Sequence, residues 1–285
     1  PPRSTLFPYT TLFRSPNLRV TFINHATILL QFDGINVITD PVWAELASPV
    51  SFYGPIRYRQ PGIKIEDLPP IDMVLLSHNH YDHLDFDAVK YINNRFKPLF
   101  LVSLGNKELF VSLGIENIIE MDWWQEHQFN QVNKVTFVPA RHFAMRGICD
   151  QNTTLWGGFV ISSSGGPIYY TGDTGYGIHF KQIKEKFSHF RFSMIPIAPI
   201  NPEWIMKYVH LSPEEAVKVH KEINSSVSMA FHFGTFKQGD DEQYEAVSRL
   251  KKAIIKENIS PKEFRVLRQG GHCEIPPLSE FAKIE

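Results

Sequence analysis

Cysteine is scarce in this chain, with only Cys149 and Cys273 among 285 residues. A lone pair at that length excludes a disulfide scaffold and fits a reducing compartment, with both thiols structural. Net charge is scarce too: 29 Lys and Arg stand against 30 Asp and Glu, a formal -1. No global field of one sign therefore attracts nucleic acid or anionic lipid, and nucleic acid is not an expected partner. No apolar run approaches the roughly 20 residues that span a bilayer, and no charged segment followed by an apolar one opens the chain. These absences predict a soluble, cytoplasmic protein. A hydrophobic content of 43% is still ample for a sizeable core.

Residues 1–15 contain Thr-Leu-Phe twice, at Thr5 and Thr11, and look like a translated sequencing-library adapter, which would leave 16–285 as the domain. From Leu18 the pattern is β-rich, with strands expected over 18–23, 27–32 and 35–39, the last two joined by the hairpin signal Asp33-Gly34. A long segment rich in Pro, Gly and aromatics follows from Val42 to Pro70 and suggests a functional or partner-binding loop. Helical spacing covers 86–96, 105–113, 178–187, 213–223 and 242–256. Strands recur near 71–76, 100–103, 134–139, 155–162, 168–171, 192–197 and 228–232. Ser212, Pro213 and Glu215 mark an explicit helix start. Strands first, then alternating strands and helices, favour a layered α/β domain.

The densest chemistry lies in Ser77-His78-Asn79-His80-Tyr81-Asp82-His83-Leu84-Asp85, which follows an apolar strand. Three imidazoles and a carboxylate within six positions suit zinc, manganese or iron, and alternate ligands on a turning loop can serve two ions. The bland alternative, a solvated His-rich turn, does not explain why further ligand types recur at strand ends: His142 after 134–139, Asp173 after 168–171 and His232 closing 228–232. His210 precedes the capped helix. Strands ending on a common edge would bring these residues together.

With those residues in view, the chain resembles the metallo-β-lactamase-fold hydrolases, through His-x-His-x-Asp-His at 78–83 and single ligands at His142, Asp173 and His232. The resemblance implies a four-layer αββα sandwich and a dinuclear centre. By it, His78, His80 and His142 hold one zinc ion, Asp82, His83 and His232 hold a second, and Asp173 bridges them. A carboxylate is also the side chain best suited to bridge ions about 3.5 to 4 Å apart.

Within that superfamily the chain is similar to the N-acylphosphatidylethanolamine-hydrolysing phospholipases D. The similar segments include Asn24-His25-Ala26-Thr27, Ile38-Thr39-Asp40-Pro41, Asp122-Trp123-Trp124, Gly172-Asp173-Thr174-Gly175-Tyr176 and Met206-Lys207-Tyr208. Phe143 stands where the mammalian members carry Trp, and Met145 where they carry Lys. The family's N-terminal extension, which aids dimerisation and membrane binding, has no counterpart in this sequence. The implied reaction is hydrolysis of N-acylphosphatidylethanolamine to phosphatidic acid and an N-acylethanolamine, by attack of a metal-bridging hydroxide. The implied partners are a phospholipid substrate, a transient membrane-surface contact and a second copy in a homodimer. A lactonase or sugar-phosphate hydrolase would share all seven ligands, and a metal-stabilised binding module is the non-enzyme alternative.

Asp82 and His210 are the expected catalytic residues, His210 being suited either to orient a phosphate oxygen or to protonate a leaving alkoxide. Asp40 is expected behind a ligand imidazole, its plainer role being an Asp-Pro turn. His25 reads as a satisfied core histidine, and His127, His179, His189 and His220 as surface or packing residues. Trp123 and Trp124 fit a plug at a core edge better than a membrane-facing patch. His272 with Cys273 lacks the partner spacing of a zinc pair.

Overall fold

The computed structural model describes residues 17–50 and 52–281, so the adapter-like segment 1–15 lies outside the described residues. The chain runs first through β1 (Leu18–Asn24), β2 (Thr27–Phe32), β3 (Ile35–Thr39), β4 (Met73–Leu76), α1 (Phe86–Phe96), β5 (Leu99–Ser103), α2 (Lys107–Ser112) and β6 (Ile118–Met121). It continues through β7 (Glu126–Gln128), β8 (Lys134–Val138), β9 (Gly158–Ser162), β10 (Ile168–Tyr170), α3 (His179–Phe187), β11 (Phe192–Pro196) and α4 (Glu203–Met206). Last come α5 (Pro213–Glu222), β12 (Ser228–Phe231), α6 (Glu245–Lys256), β13 (Phe264–Arg265), β14 (His272–Ile275) and α7 (Leu278–Phe281). The strands form two seven-stranded sheets, ordered β14-β1-β2-β3-β4-β5-β6 and β13-β12-β11-β10-β9-β8-β7.

Side-chain alternation explains the layering. In the first sheet Val20, Phe22, Ile28, Leu30, Val37, Met73 and Leu75 share one core with the second sheet. Their neighbours Ile23, Leu29, Ile38, Val74 and Leu76 point the other way and pack with Val89 and Ile92 of α1 and Phe110 of α2. The second sheet is covered by Phe180 and Ile183 of α3, Val217 and Val219 of α5, and Leu250 and Ile254 of α6. Both sheets are thus buried on two faces, which is why their strands read as continuous apolar runs. The result is the expected αββα sandwich.

Direction matters more than layering for the site. β3 to β6 run parallel, as do β10 to β13, while β1, β2 and β3 alternate, as do β8, β9 and β10. The carboxyl ends of β1, β3 and β4 therefore share one edge of their sheet. Those of β8, β10 and β12 share an edge of the other.

Most expected elements occur with ends shifted by a few residues. The short strands β6, β7, β13 and β14 and the four-residue helices α4 and α7 were not expected. β14 closes an edge by pairing antiparallel with β1, a partner some 250 residues away in sequence that no local pattern announces. The segment from Val42 to Pro70 is largely irregular, crossed by one short 3-10 turn at Ile65–Asp67 and pinned by isolated bridges between Leu46 and Ile56 and between Arg57 and Phe236.

Candidate metal centre

The loops after these strand ends bring all seven expected ligand residues into one cluster. His78 Nε2 lies 2.8 Å from His80 Nδ1, which lies 3.3 Å from His142 Nε2. Beside this triad, His232 Nε2 and His83 Nε2 each approach Asp82 Oδ2 to 3.1 Å. Asp173 Oδ2 sits between the groups, 2.9 Å from His232, 3.2 Å from His83 and 3.8 Å from His142. Most of the cluster is buried. His80 and His210 are half-buried and lie toward solvent.

Hydrogen bonds behind the rings decide which nitrogens face inward. His142 Nδ1 donates to Val209 O and His232 Nδ1 to Ala198 O, each at 2.9 Å, so it is the Nε2 of each ring that faces the cluster. Ser77 Oγ donates to Asp40 Oδ2 at 2.5 Å and is left to accept from His78 Nδ1 at 2.9 Å, which also frees His78 Nε2. Asp40, fully buried, takes His83 Nδ1 at 2.6 Å and Tyr170 OH at 2.5 Å on the same oxygen, and Ser77 N at 2.8 Å on the other. The structure thus places Asp40 directly behind the ring of His83.

The donor set fits cations. Burial, with the neighbouring imidazoles, holds His78 well below its usual range, and burial does the same for His142, so both rings are neutral. Asp173 Oδ1 is buried without a hydrogen-bond partner. Around the second group, burial opposes charge on His232 and His83, but Asp173 and Asp82 prevail. They push His232 up to about 9 and His83 well above the ordinary value. Burial would raise the two carboxyls, yet the coulombic pull of His83 and His232 keeps both ionised. Protons thus supply the positive charge that cations would bring.

Backbone strain concentrates here as well. His25, Asp40 and His232 end β1, β3 and β12 with φ of 40°, 30° and 59°, left-handed values that non-glycine residues adopt at a cost. Gly172, at φ 61°, precedes Asp173. A Cβ there would meet Gly157 O at 2.4 Å, so only glycine lets the loop pass.

A model of the β-lactamase superfamily domain matches residues 35–233, the stretch that carries every one of these residues except His25. The chain belongs to the β-lactamase superfamily. It is 38% identical over 265 residues to N-acyl-phosphatidylethanolamine-hydrolyzing phospholipase D 1 of Caenorhabditis elegans, covering 89% of this chain and 74% of the worm protein. It is 32% identical over 222 residues to the mitochondrial N-acyl-phosphatidylethanolamine-hydrolyzing phospholipase D of Saccharomyces cerevisiae, covering 76% of this chain but only 47% of the yeast protein. The fold is shared with a metallo hydrolase of the archaeon Ignicoccus hospitalis, at TM-score 0.66 and 20% identity over 91% of this chain and 98% of that one. The protein is accordingly a metal-dependent hydrolase of the metallo-β-lactamase fold.

Three residues in this superfamily site escaped sequence reasoning. His25 is buried in the core as expected, but its partners belong to the site: its Nε2 lies 2.9 Å from Asp82 Oδ2, and its backbone carbonyl accepts from His232 N. The signal was available, because β1 and β3 flank an antiparallel β2 and must end on the same edge. Gln238 Nε2 donates to Asp82 Oδ2 at 2.7 Å from a loop with no motif of its own, and Tyr170 reaches Asp40 from inside a strand. His210 Nδ1 is 3.8 Å from Asp173 Oδ2, and its ring is 5.1 Å from that of His142. Trp123 and Trp124 pack against the core, and Trp123 Nε1 donates to Trp156 O. Both cysteines are free thiols, and His272 is exposed.

Proposed function

We propose that this hydrolase is a dinuclear zinc phosphodiesterase of phospholipase D type, in which the domain 16–285 cleaves N-acylphosphatidylethanolamine to phosphatidic acid and an N-acylethanolamine. The observation that carries the reading is the pair of facing triads, His78/His80/His142 and Asp82/His83/His232, with Asp173 between them. The worm and yeast relatives, named for that reaction, support the substrate. Zinc ions held by these seven residues would supply Lewis acidity, lowering the pKa of water so that hydroxide is available near neutral pH and offsetting charge on the phosphate oxygens.

The chain's own groups do the rest. Asp173 and Asp82 stay ionised and would hold the cations. Gln238 and His25 anchor Asp82 Oδ2 from behind. The oxygen of water joins phosphorus, the bond from phosphorus to the ethanolamine oxygen breaks, and that oxygen leaves with the proton that the attacking water gives up. His210 is pushed down to about 4 by burial and is neutral near pH 7. A neutral imidazole at this position suits orientation of a phosphate oxygen better than protonation of the alkoxide. His210→Gln should then cost about 100-fold in kcat, equally for substrates releasing an alkoxide or an acidic phenol, with metal content unchanged. A smaller loss on the phenol-releasing substrate would return His210 to the acid role.

A lipid substrate also suits the rim. Phe52 and Tyr53 are 85% and 79% exposed on the long loop, and Trp204 is 71% exposed on α4. Tyr58 N donating to Thr235 O, and Asp240 N donating to Asn201 O, tie both segments to the loop after β12. Aromatic side chains at such a rim favour an interface between water and hydrocarbon. The deciding experiment is turnover of zinc-loaded protein on N-acylphosphatidylethanolamine, phosphatidylcholine and phosphorylated lactones. Preference for the first supports the reading, and turnover confined to lactones overturns it.

A further inference from the structure

Two ligand-bearing loops meet at one cation that the proposed chemistry does not use. Arg146 lies on the loop after β8, four residues beyond His142. Its Nη1 donates to Asn79 O at 3.0 Å and to Leu84 O at 2.9 Å. Those carbonyls flank His80, Asp82 and His83. The guanidinium carbon also lies 4.0 Å from the ring centroids of both Tyr81 and Phe86, so the cation is sandwiched between two aromatic faces. The strap closes on itself, because Tyr81 OH donates back to Arg146 O at 2.9 Å. Asp150 fixes the base of the arginine by accepting from Arg146 N and Gly147 N.

We propose that Arg146 is a positioning residue for the metal centre, a strap that holds the loop of His78, His80, Asp82 and His83 in register with the loop of His142. The inference rests on the metal-site reading above. The first triad is assembled from both loops, and its nitrogens converge only if the loops keep their separation. The same two loops also meet through His142 Nε2 and His80 Nδ1 and through the rings of Phe143 and His80, whose centroids are 4.6 Å apart. Bound cations would strengthen the first of these contacts. Arg146 acts before they arrive, by lowering the cost of ordering four ligands around an ion. Planarity is what the site exploits: a guanidinium can stack on two rings while donating in its own plane, whereas an ammonium cannot do both.

The test is metal affinity, measured by competition with a chromogenic chelator, which needs no substrate. Arg146→Lys keeps the charge and should weaken zinc binding about tenfold, with Tm within a few degrees of wild type. Arg146→Ala should lose more, and millimolar guanidinium, filling the slot between Tyr81 and Phe86, should restore part of the affinity where the same concentration of ammonium does not. If Arg146→Ala proves too unstable to assay, Tyr81→Leu removes one face of the sandwich and should weaken zinc binding by a smaller factor. Unchanged affinity in Arg146→Lys, or in Tyr81→Leu where that variant stands in, overturns the inference and leaves the proposed function intact. A wild-type protein that binds no zinc overturns both.

Discussion

At the scale of residues, the centre was legible because its chemistry is unusual in kind. Imidazoles and carboxylates gathered at strand ends seldom serve anything but a cation, so candidates from 78 to 232 could be picked out without geometry, and the family resemblance then singled out seven of them. What could not be read was the support. Tyr170 looks like any aromatic inside a strand, yet its hydroxyl reaches Asp40 across the space between two sheets. Gln238 carries no pattern at all. Asp173 is the residue whose replacement discriminates best, since its Oδ2 faces both triads. Asp173→Asn keeps the shape but removes the charge that, in the proposed centre, would hold two cations side by side. We expect turnover to fall about 100-fold or more and the second metal equivalent to be lost, with little change in circular dichroism. A folded variant that retains both metals and normal turnover would remove Asp173 from the site.

At the scale of elements, legibility followed the local signals. α1 and α5 start where they were expected because Asp85 accepts from Asp87 N and Ala88 N, and because Ser212 and Glu215 form a capping box. β7 has the sequence Glu-His-Gln and β13 only two residues; both exist because a neighbouring strand offers a ladder, which their own composition does not reveal. α5 also buries His220, whose Nδ1 lies 2.8 Å from Ser228 Oγ in the strand beneath. Burial, followed by Lys221, pushes it down to about 4. An unfolded chain takes up that proton near pH 6.5 and the folded one only near 4, so the stabilising effect is complete above pH 6.5 and lost as pH falls to 4. His220→Asn should flatten the dependence of unfolding free energy on pH in that window by about 1.4 kcal/mol per pH unit. Denaturant titrations at several pH values would check it, and an unchanged slope would show that His220 does not titrate with folding.

At the scale of the whole molecule, the centre lies where two sheets and their loops join, so its charge state is coupled to global stability. No helix among the described residues is long and apolar enough to cross a membrane. If two cations bind, elemental analysis should find about two zinc equivalents per chain. Their removal should lower Tm, because a ligand that binds only the folded state stabilises it by mass action. The pH dependence of that loss follows from His232. In the cation-free protein its value is raised to about 9, so the imidazolium that offsets Asp173 and Asp82 contributes fully below pH 6.5 and is lost as pH rises through 9. Metal-loaded protein keeps its charge balance over the same range, since the cations and not a proton face the carboxylates. The gap in Tm between loaded and chelated protein should therefore widen from pH 6.5 to 9. A gap that stays constant or narrows would mean that the carboxylates are neutralised by something other than the cluster's own histidines.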